Sequence, residues 1–259
     1  MATDLIINCD SDQMGFDIRK AVNAALLFLC MFQFPLQGQE SSEGFSLPYA
    51  DLVYWAYGQD QELVNGMQYY NKNPRSLGHP YLLEGLVHRG SVNIRGKMYS
   101  GVWLKYDIHK QQVEVEYQTM SGGENQVILV GDRLDDFTIG EHYFKRMVLD
   151  EELGEQFYQV IGGGQMILYI QWEKRLVPVS GDSRFIEEFT SPKRSYLLEM
   201  GGSVKPFTTK KSFVALFPKE VQKDIKLLIK QNRLLFKSTS TQQLELFIIA
   251  AGNIVEGRD

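Results

Sequence analysis

Gln112-Val113-Glu114-Val115-Glu116-Tyr117 alternates polar and apolar residues without a break. Side chains of a strand point to opposite faces in turn, so this period of two marks a strand with one dry and one wet face. The same beat runs backwards along the chain. Val102, Leu104 and Tyr106 alternate with Trp103 and Lys105, and Val92 and Ile94 share a face one strand earlier. Turn residues separate the runs: Asn65-Gly66, Arg95-Gly96-Lys97, His109-Lys110-Gln111, Ser121-Gly122-Gly123, Ile139-Gly140-Glu141, Gly162-Gly163-Gly164 and Gly201-Gly202. Glycine adopts the positive φ that tight hairpins require, so each cluster reads as a hairpin connection.

Working outward, the pattern predicts roughly ten strand regions. They lie near 52–57, 62–70, 84–95, 97–108, 112–118, 125–130, 135–139, 142–147, 156–161 with 165–172, and 195–200 with 203–207. Short connections favour antiparallel pairing of sequential strands. The expected fold is therefore mainly β, an antiparallel meander over 51–208 that forms a barrel or an open roll. Residues 176–194, with Pro178, Gly181 and Pro192, read as a longer connection.

The beat changes at Thr208. Residues 209–259 predict two to three short α-helices packed on the β domain. Thr208 or Thr209 caps a helix over 210–216, and Pro218 suits the first turn of the next. There Val221, Ile225, Leu228 and Ile229 share one face. Ser240, with Gln243 three residues on, starts a third helix whose stripe is Leu244, Phe247, Ile248 and Ala251. Gly252-Asn253 is the expected end of that helix.

Before the first strand, Arg19-Lys20 precedes an apolar run from Ala21 to Leu36 and then the polar stretch Gln37-Gly38-Gln39-Glu40-Ser41-Ser42. This is the layout of a secretory signal peptide. Residues 1–38 are the expected leader, cut after Gly38, with translation starting at Met1 or at Met14. A buried N-terminal helix and a retained anchor are the alternatives, although the run falls short of the roughly 20 apolar residues of a bilayer span. Residues 39–50 read as a flexible segment. Cys9 and Cys30 both lie before the expected cut, so the mature chain would hold no disulfide and no thiolate metal site. No transmembrane span is expected in that chain.

Hydrophobic residues make up 44% of the sequence and charged residues 23%, which excludes disorder along its whole length. The 15 Phe, 13 Tyr and 3 Trp add to the strand signal, because aromatics fit a pleated, half-buried surface. The net charge of −5 argues against a dedicated nucleic-acid binder. That charge is divided unevenly. Residues 39–191 carry 13 basic and 22 acidic side chains, a net of −9, whereas residues 192–237 carry 11 basic and 3 acidic, a net of +8. Either a solvated basic helix docks on an acidic sheet, or the basic part is a surface for an anionic partner such as a polysaccharide, a lipid headgroup or a nucleic acid. No aromatics interleave with the lysines, which disfavours nucleic acid.

Motifs that carry chemistry are scarce. His79, His88, His109 and His142 include no pair at metal-ligand spacing, and no metal or cofactor is expected. Asp132, Asp135 and Asp136 form the densest acidic cluster but lack calcium-loop spacing, and neighbours in a strand point apart. Gly162-Gly163-Gly164 lacks the Lys-Ser/Thr of a phosphate loop and reads as a hairpin. No Gly-x-Ser-x-Gly elbow occurs. No catalytic residue is assigned from the sequence.

Two stretches carry a resemblance. One is Gly90-Ser91-Val92-Asn93-Ile94-Arg95-Gly96-Lys97-Met98-Tyr99-Ser100-Gly101-Val102-Trp103-Leu104-Lys105-Tyr106-Asp107-Ile108, followed by Gln112-Val113-Glu114-Val115. The other is Lys210 to Phe217, with the lysine-rich helix and Leu234-Leu235-Phe236-Lys237 after it. Together they resemble a group of uncharacterised exported β-rich proteins of Bacteroidetes-type bacteria, in which such a hairpin precedes a β-rich body and such a helix closes it. Ile94-Arg95 departs from that pattern, where an aromatic residue would precede the Gly-Lys turn. The resemblance implies export and the fold outline and transfers no residue role.

The expected function is that of an exported cell-envelope protein, in the periplasm or on the outer cell surface, acting as a non-enzymatic binding or assembly module. Trp55, Tyr69, Tyr70, Tyr81, Trp103 and Trp172 are the candidate exposed aromatics for contact with an envelope protein or a glycan. One alternative is a barrel-type carrier of a small apolar or glycan ligand. The other is a hydrolase using Asp132, Asp135, Asp136 or Glu141 with His142.

Overall fold

The computed structural model describes residues 60–257 apart from Leu86, Met120, Asp182 and Ser183. The expected leader, the segment 39–50, the strand near 52–57 and Trp55 lie outside these residues. The chain is mainly β, with four helices among the described residues. It opens with α1 (Gln61–Val64), β1 (Met67–Gln68) and β2 (Ser76–Leu77). Four strands follow: β3 (His88–Ile94), β4 (Lys97–Asp107), β5 (Gln112–Gln118) and β6 (Glu124–Ile128). Next come β7 (Leu134–Ile139), β8 (His142–Asp150), β9 (Gly154–Gly163) and β10 (Met166–Glu173). After β11 (Leu176–Pro178), β12 (Glu187–Phe189), β13 (Lys193–Met200) and β14 (Ser203–Phe207), the chain ends in α2 (Lys210–Ala215), α3 (Gln222–Gln231) and α4 (Thr241–Glu256).

Eleven strands form one antiparallel sheet in the order β1-β6-β5-β4-β3-β7-β8-β9-β10-β13-β14. Most neighbours are sequential hairpins, as the turn residues predict. Arg95 and Gly96 take φ of 51° and 80° between β3 and β4, the two positive values a tight hairpin needs. One departure from a plain meander falls after β6. The chain returns through Leu129–Arg133, held by Leu129 N–H to Val113 C=O and Arg95 N–H to Arg133 C=O, and places β7 on the free flank of β3. Among the described residues no pairing joins β1 to β14, so the sheet keeps two edges.

The sheet is strongly curved. Tyr106 on β4 and Phe157 on β9 are four strand spacings apart, roughly 19 Å in a flat sheet, yet their ring centroids are 6.1 Å apart. Phe137 and Phe144, on β7 and β8, complete the cluster at 5.0 and 4.9 Å from Tyr106. The Tyr106 hydroxyl, which burial would leave unpaired, donates to Gln111 Oε1 at 2.6 Å. Gln111 Nε2 in turn donates to Trp172 C=O on β10 at 2.9 Å. Leu104, Ile108, Leu134, Ile139, Leu168 and Ile170 fill the remaining concave face.

The helical layer closes one side of this core. Thr209 and Ser212 form a reciprocal capping box at the start of α2. Ser240 caps α4, whose residues Leu244, Phe247, Ile248 and Ala251 are buried as the stripe predicts. The helix runs on past Gly252-Asn253 to Glu256, because Ile254 and Val255 continue the packing onto the core. Other expectations need correction. Residues 62–70 are not one strand: Asp60 caps the short α1, and Asn65-Gly66 joins helix to strand instead of making a hairpin. A Cβ on Gly66 would sit 2.3 Å from Ile128 C=O, so β1 can approach β6 only with glycine there. Residues 176–194 are not a bare connection either, since β11 pairs with β12 and β12 with β2 in a separate three-stranded sheet.

At Gly162 the helix α4 comes close to the sheet. Its φ is 91°, and a Cβ there would lie 2.7 Å from Ile248 Cγ2 and 3.0 Å from Met166 C=O. Gly201 has φ of 57° and nothing within 4 Å. Both substitutions to alanine incur backbone strain, but only Gly162→Ala also overpacks the α4 contact. Urea unfolding is expected to show Gly162→Ala less stable than Gly201→Ala by about 2 kcal/mol.

Candidate functional site

A β-bulge shapes an open groove beside β4 and β5. Gly90 pairs with Val102 but Ser91 with Ser100, so Gly101 is an extra residue in β4, at φ of 72°. Such a bulge bends the strand and re-aims its side chains. Around it lies an open groove of about 560 Å³. Leu63, Val87, Val102 and Val115 give it apolar wall, Trp103 and Tyr117 give it aromatic surface, and Ser100, Glu116, Gln118 and Glu124 give it hydrogen-bonding groups. Trp103 is 43% exposed, with the Arg89 guanidinium 5.0 Å from its ring centroid. Asn125 Nδ2 donates to the Tyr117 hydroxyl at 2.8 Å and fixes that ring. Lys105 Nζ lies 3.5 Å from Glu116 Oε2. The charged wall residues are thus both acidic, and one of them has a lysine partner.

A second cluster lies further along β4 and β5, on the face that also carries Trp103, Lys105 and Glu116. Glu114 belongs to the face expected to be wet, yet it is 1% exposed. The segment 69–82 covers it, tied down by Leu82 N–H to Tyr106 C=O, Ile108 N–H to Pro80 C=O and Lys174 Nζ to His79 C=O. Glu114 Oε2 accepts from Gln126 Nε2 at 2.5 Å and from the Tyr81 hydroxyl at 3.0 Å. The Tyr69 hydroxyl lies 3.2 Å beyond Tyr81. Burial is the main reason that the Glu114 carboxyl is pushed up to about 7; the nearby Asp107 charge adds to this, while Tyr81, Lys105 and Gln126 oppose it. Burial also raises Asp107, whose Oδ1 caps the β4–β5 turn by accepting from His109 N–H and Lys110 N–H at 2.8 Å each. A cleft of about 110 Å³ beside the cluster is walled partly by Tyr69, Tyr81, Asp107 and Phe189; Glu114 is not part of that wall.

A third cluster pins α4 to the sheet. The indole N–H of Trp172 donates to Gln159 Oε1 at 2.8 Å. An indole only donates, so this contact fixes the Gln159 amide with its NH₂ turned the other way. That NH₂ lies 3.0 Å from both His142 Nδ1 and Thr241 Oγ1, at the start of α4. His142 Nδ1 must therefore accept, which requires the neutral ring with its proton on Nε2. Burial holds its pKa below the usual histidine value; the Arg194 cation adds to the lowering and Glu141 opposes it. Arg194 stacks 4.3 Å from the centroid of Trp172 and donates to Phe236 C=O and Thr239 C=O.

The residues singled out in the sequence thus go to different places. Tyr69 and Tyr81 meet at Glu114, Trp103 lines the groove, and Tyr70 is exposed with its hydroxyl on Gln68 Oε1. Trp172, expected among the exposed aromatics, is 7% exposed and its N–H is taken. The acidic residues do not converge. Asp135 accepts from Gly96 N–H, Asp136 from Asn93 Nδ2 and Glu141 from Gln242 Nε2, so each fastens a turn, a strand pair or a helix. Among the described residues no group of three or more His, Cys, Asp or Glu is placed to hold a metal ion. No described helix is long and apolar enough to cross a membrane. Nothing in the sequence singles out Glu114, because burial by a strap 33 residues upstream leaves no periodic trace. Set against models of protein families, curated proteins and solved structures, the chain matches none.

Two pH effects follow. The raised Glu114 carboxyl stays protonated in the folded state where the unfolded chain has already ionised, so its stabilising contribution is full below about pH 4.5 and is lost by about pH 7. Glu114→Gln keeps the shape without the proton. Relative to the wild type, this variant is expected to gain on the order of 3 kcal/mol as pH rises from 4.5 to above 7, read by urea unfolding at several pH values. A constant difference would contradict the assignment. His142 has the opposite sign. Its lowered pKa gives stability that is fully present above the unfolded value of about 6.5 and is lost as pH falls from there through the lower folded value. His142→Asn, which keeps an accepting oxygen near the Nδ1 position, is expected to flatten that acid-side loss.

Proposed function

We propose that this is an exported binding protein of the cell envelope, whose sheet is an open roll and whose groove at Trp103 takes a glycan of neutral or amino sugars. The observation that carries the reading is the composition of the groove. An exposed indole and a fixed phenol offer flat surfaces on which the C–H face of a sugar ring can lie. Carboxylates, an amide and a hydroxyl beside them can meet sugar hydroxyls. Glu116 and Glu124 favour neutral or amino sugars over uronic or phosphorylated ones. Export is supported by the basic, apolar and polar layout of residues 19–42 and by the resemblance to exported β-rich proteins.

Two observations weigh against the other readings. An apolar cargo needs an enclosed dry cavity, and the concave face of the sheet is filled by Tyr106, Phe137, Phe144 and Phe157. Pairing of a partner strand along β14 meets Lys205 and Pro206, and proline has no N–H to donate. Isothermal titration with neutral, amino and uronic oligosaccharides tests the proposal. Binding of the first two with weak or no binding of the third is expected, and Trp103→Ala is expected to weaken it at least about tenfold with circular dichroism unchanged. Absence of heat with every neutral and amino oligosaccharide, or a Trp103→Ala variant that binds as the wild type does, would contradict it.

A further inference from the structure

We infer that the lysine face of α2 and α3 is a docking surface for a membrane rich in anionic phospholipid. Between Lys210 and Lys237 the chain carries eight basic residues (Lys210, Lys211, Lys219, Lys223, Lys226, Lys230, Arg233 and Lys237) against two acids, Glu220 and Asp224. All eight are exposed, and among the described residues no ion pair involves any of them. This contrasts with Lys97, Lys105 and Arg146, each of which has a carboxylate partner. A cluster of like charges left without counter-charges repels itself, and an anionic partner relieves that repulsion.

The geometry gathers the charge. On α3, Lys223, Lys226, Leu227 and Lys230 lie within one exposed stripe, opposite the buried Ile225 and Ile229. Lys210 and Lys211 of α2 and Lys226 of α3 line one groove of about 410 Å³, with Val214, Ala215 and Ile229 as its apolar wall. Its charged wall residues are all lysine, so the groove suits a phosphodiester headgroup. Three classes of polyanion fit charge alone, and the apolar residues decide between them. Leu227 and Leu235 are 52% and 56% exposed, Leu227 within the lysine stripe and Leu235 four residues beyond the end of α3. Exposed leucines among lysines suit the headgroup–acyl boundary of a bilayer, where lysine stems can lie along apolar surface while the ammonium reaches phosphate. They add nothing to a contact with a polysaccharide, and no aromatics are present to stack on nucleic-acid bases. The face uses none of the groove residues at Trp103, so the two sites stand or fall separately.

The test is sedimentation of the full chain with phosphatidylcholine vesicles, with and without phosphatidylglycerol, across a range of salt. Binding is expected only with phosphatidylglycerol and is expected to weaken as salt rises. Lys210→Gln, Lys211→Gln and Lys226→Gln combined should weaken it by about a hundredfold, since each lysine near an anionic surface is worth roughly a factor of five. A control variant, Lys72→Gln, Lys110→Gln and Lys145→Gln combined, should bind as the wild type does. Leu227→Ser with Leu235→Ser should weaken vesicle binding while leaving retention on heparin unchanged. Equal binding to both kinds of vesicle, equal loss in the two lysine variants, or leucine substitution without effect on vesicles would each overturn the inference.

Discussion

One aromatic contact sets the shape of the whole β domain. Tyr106 on β4 lies against Phe137, Phe144 and Phe157 on β7, β8 and β9, and those strands can reach it only if the sheet bends. Large rings on a concave face exclude water over more area than the same rings on a flat one, so burial drives the curvature. Gln111 secures it, because the residue that satisfies the Tyr106 hydroxyl also bonds to β10. With the concave face filled, binding surface is left at its margin, where the Gly101 bulge turns Trp103 and Tyr117 into the groove.

Two polar clusters fasten other segments to this sheet. The 69–82 strap, held by hydrogen bonds to Tyr106, Ile108 and Lys174, covers Glu114, and the carboxyl is raised to about 7 because it has lost its water. The helical layer presses on β9 and β10, where Gly162 gives it room and the Trp172–Gln159–His142–Thr241 chain ties it to the sheet. His142 and Glu114 therefore report on two different attachments, one of helix to sheet and one of strap to sheet, with opposite dependence on pH.

Much of this was legible in the sequence, and the limits have physical causes. Strand positions from β3 to β10 and in β13 and β14 follow the period of two and the turn glycines closely, because both signals are local, whereas β11 and β12 read as a connection. Curvature is not local: nothing in the spacing of Tyr106, Phe137, Phe144 and Phe157 says that they meet. The pairing of β7 with β3 depends on a return path that periodicity does not encode. Glu114 reads as solvent-facing because alternation assigns a residue to a face and is silent on what covers that face. Asn65-Gly66 misleads for a related reason, since a glycine can serve a close approach to Ile128 as well as a turn. Of the aromatics, Trp103 was legible as surface, whereas Trp172 became core once α4 and Arg194 closed over it.

The curved sheet is the claim on which the filled core depends. It is tested most directly by nuclear Overhauser contacts between the ring protons of Tyr106 and Phe157 in aromatic-labelled protein. A direct cross-peak is predicted from the centroid separation of 6.1 Å. Its absence, with both rings assigned and the β3–β4 and β8–β9 pairings observed, would place these strands roughly 19 Å apart, as in a flat sheet, and would contradict the account.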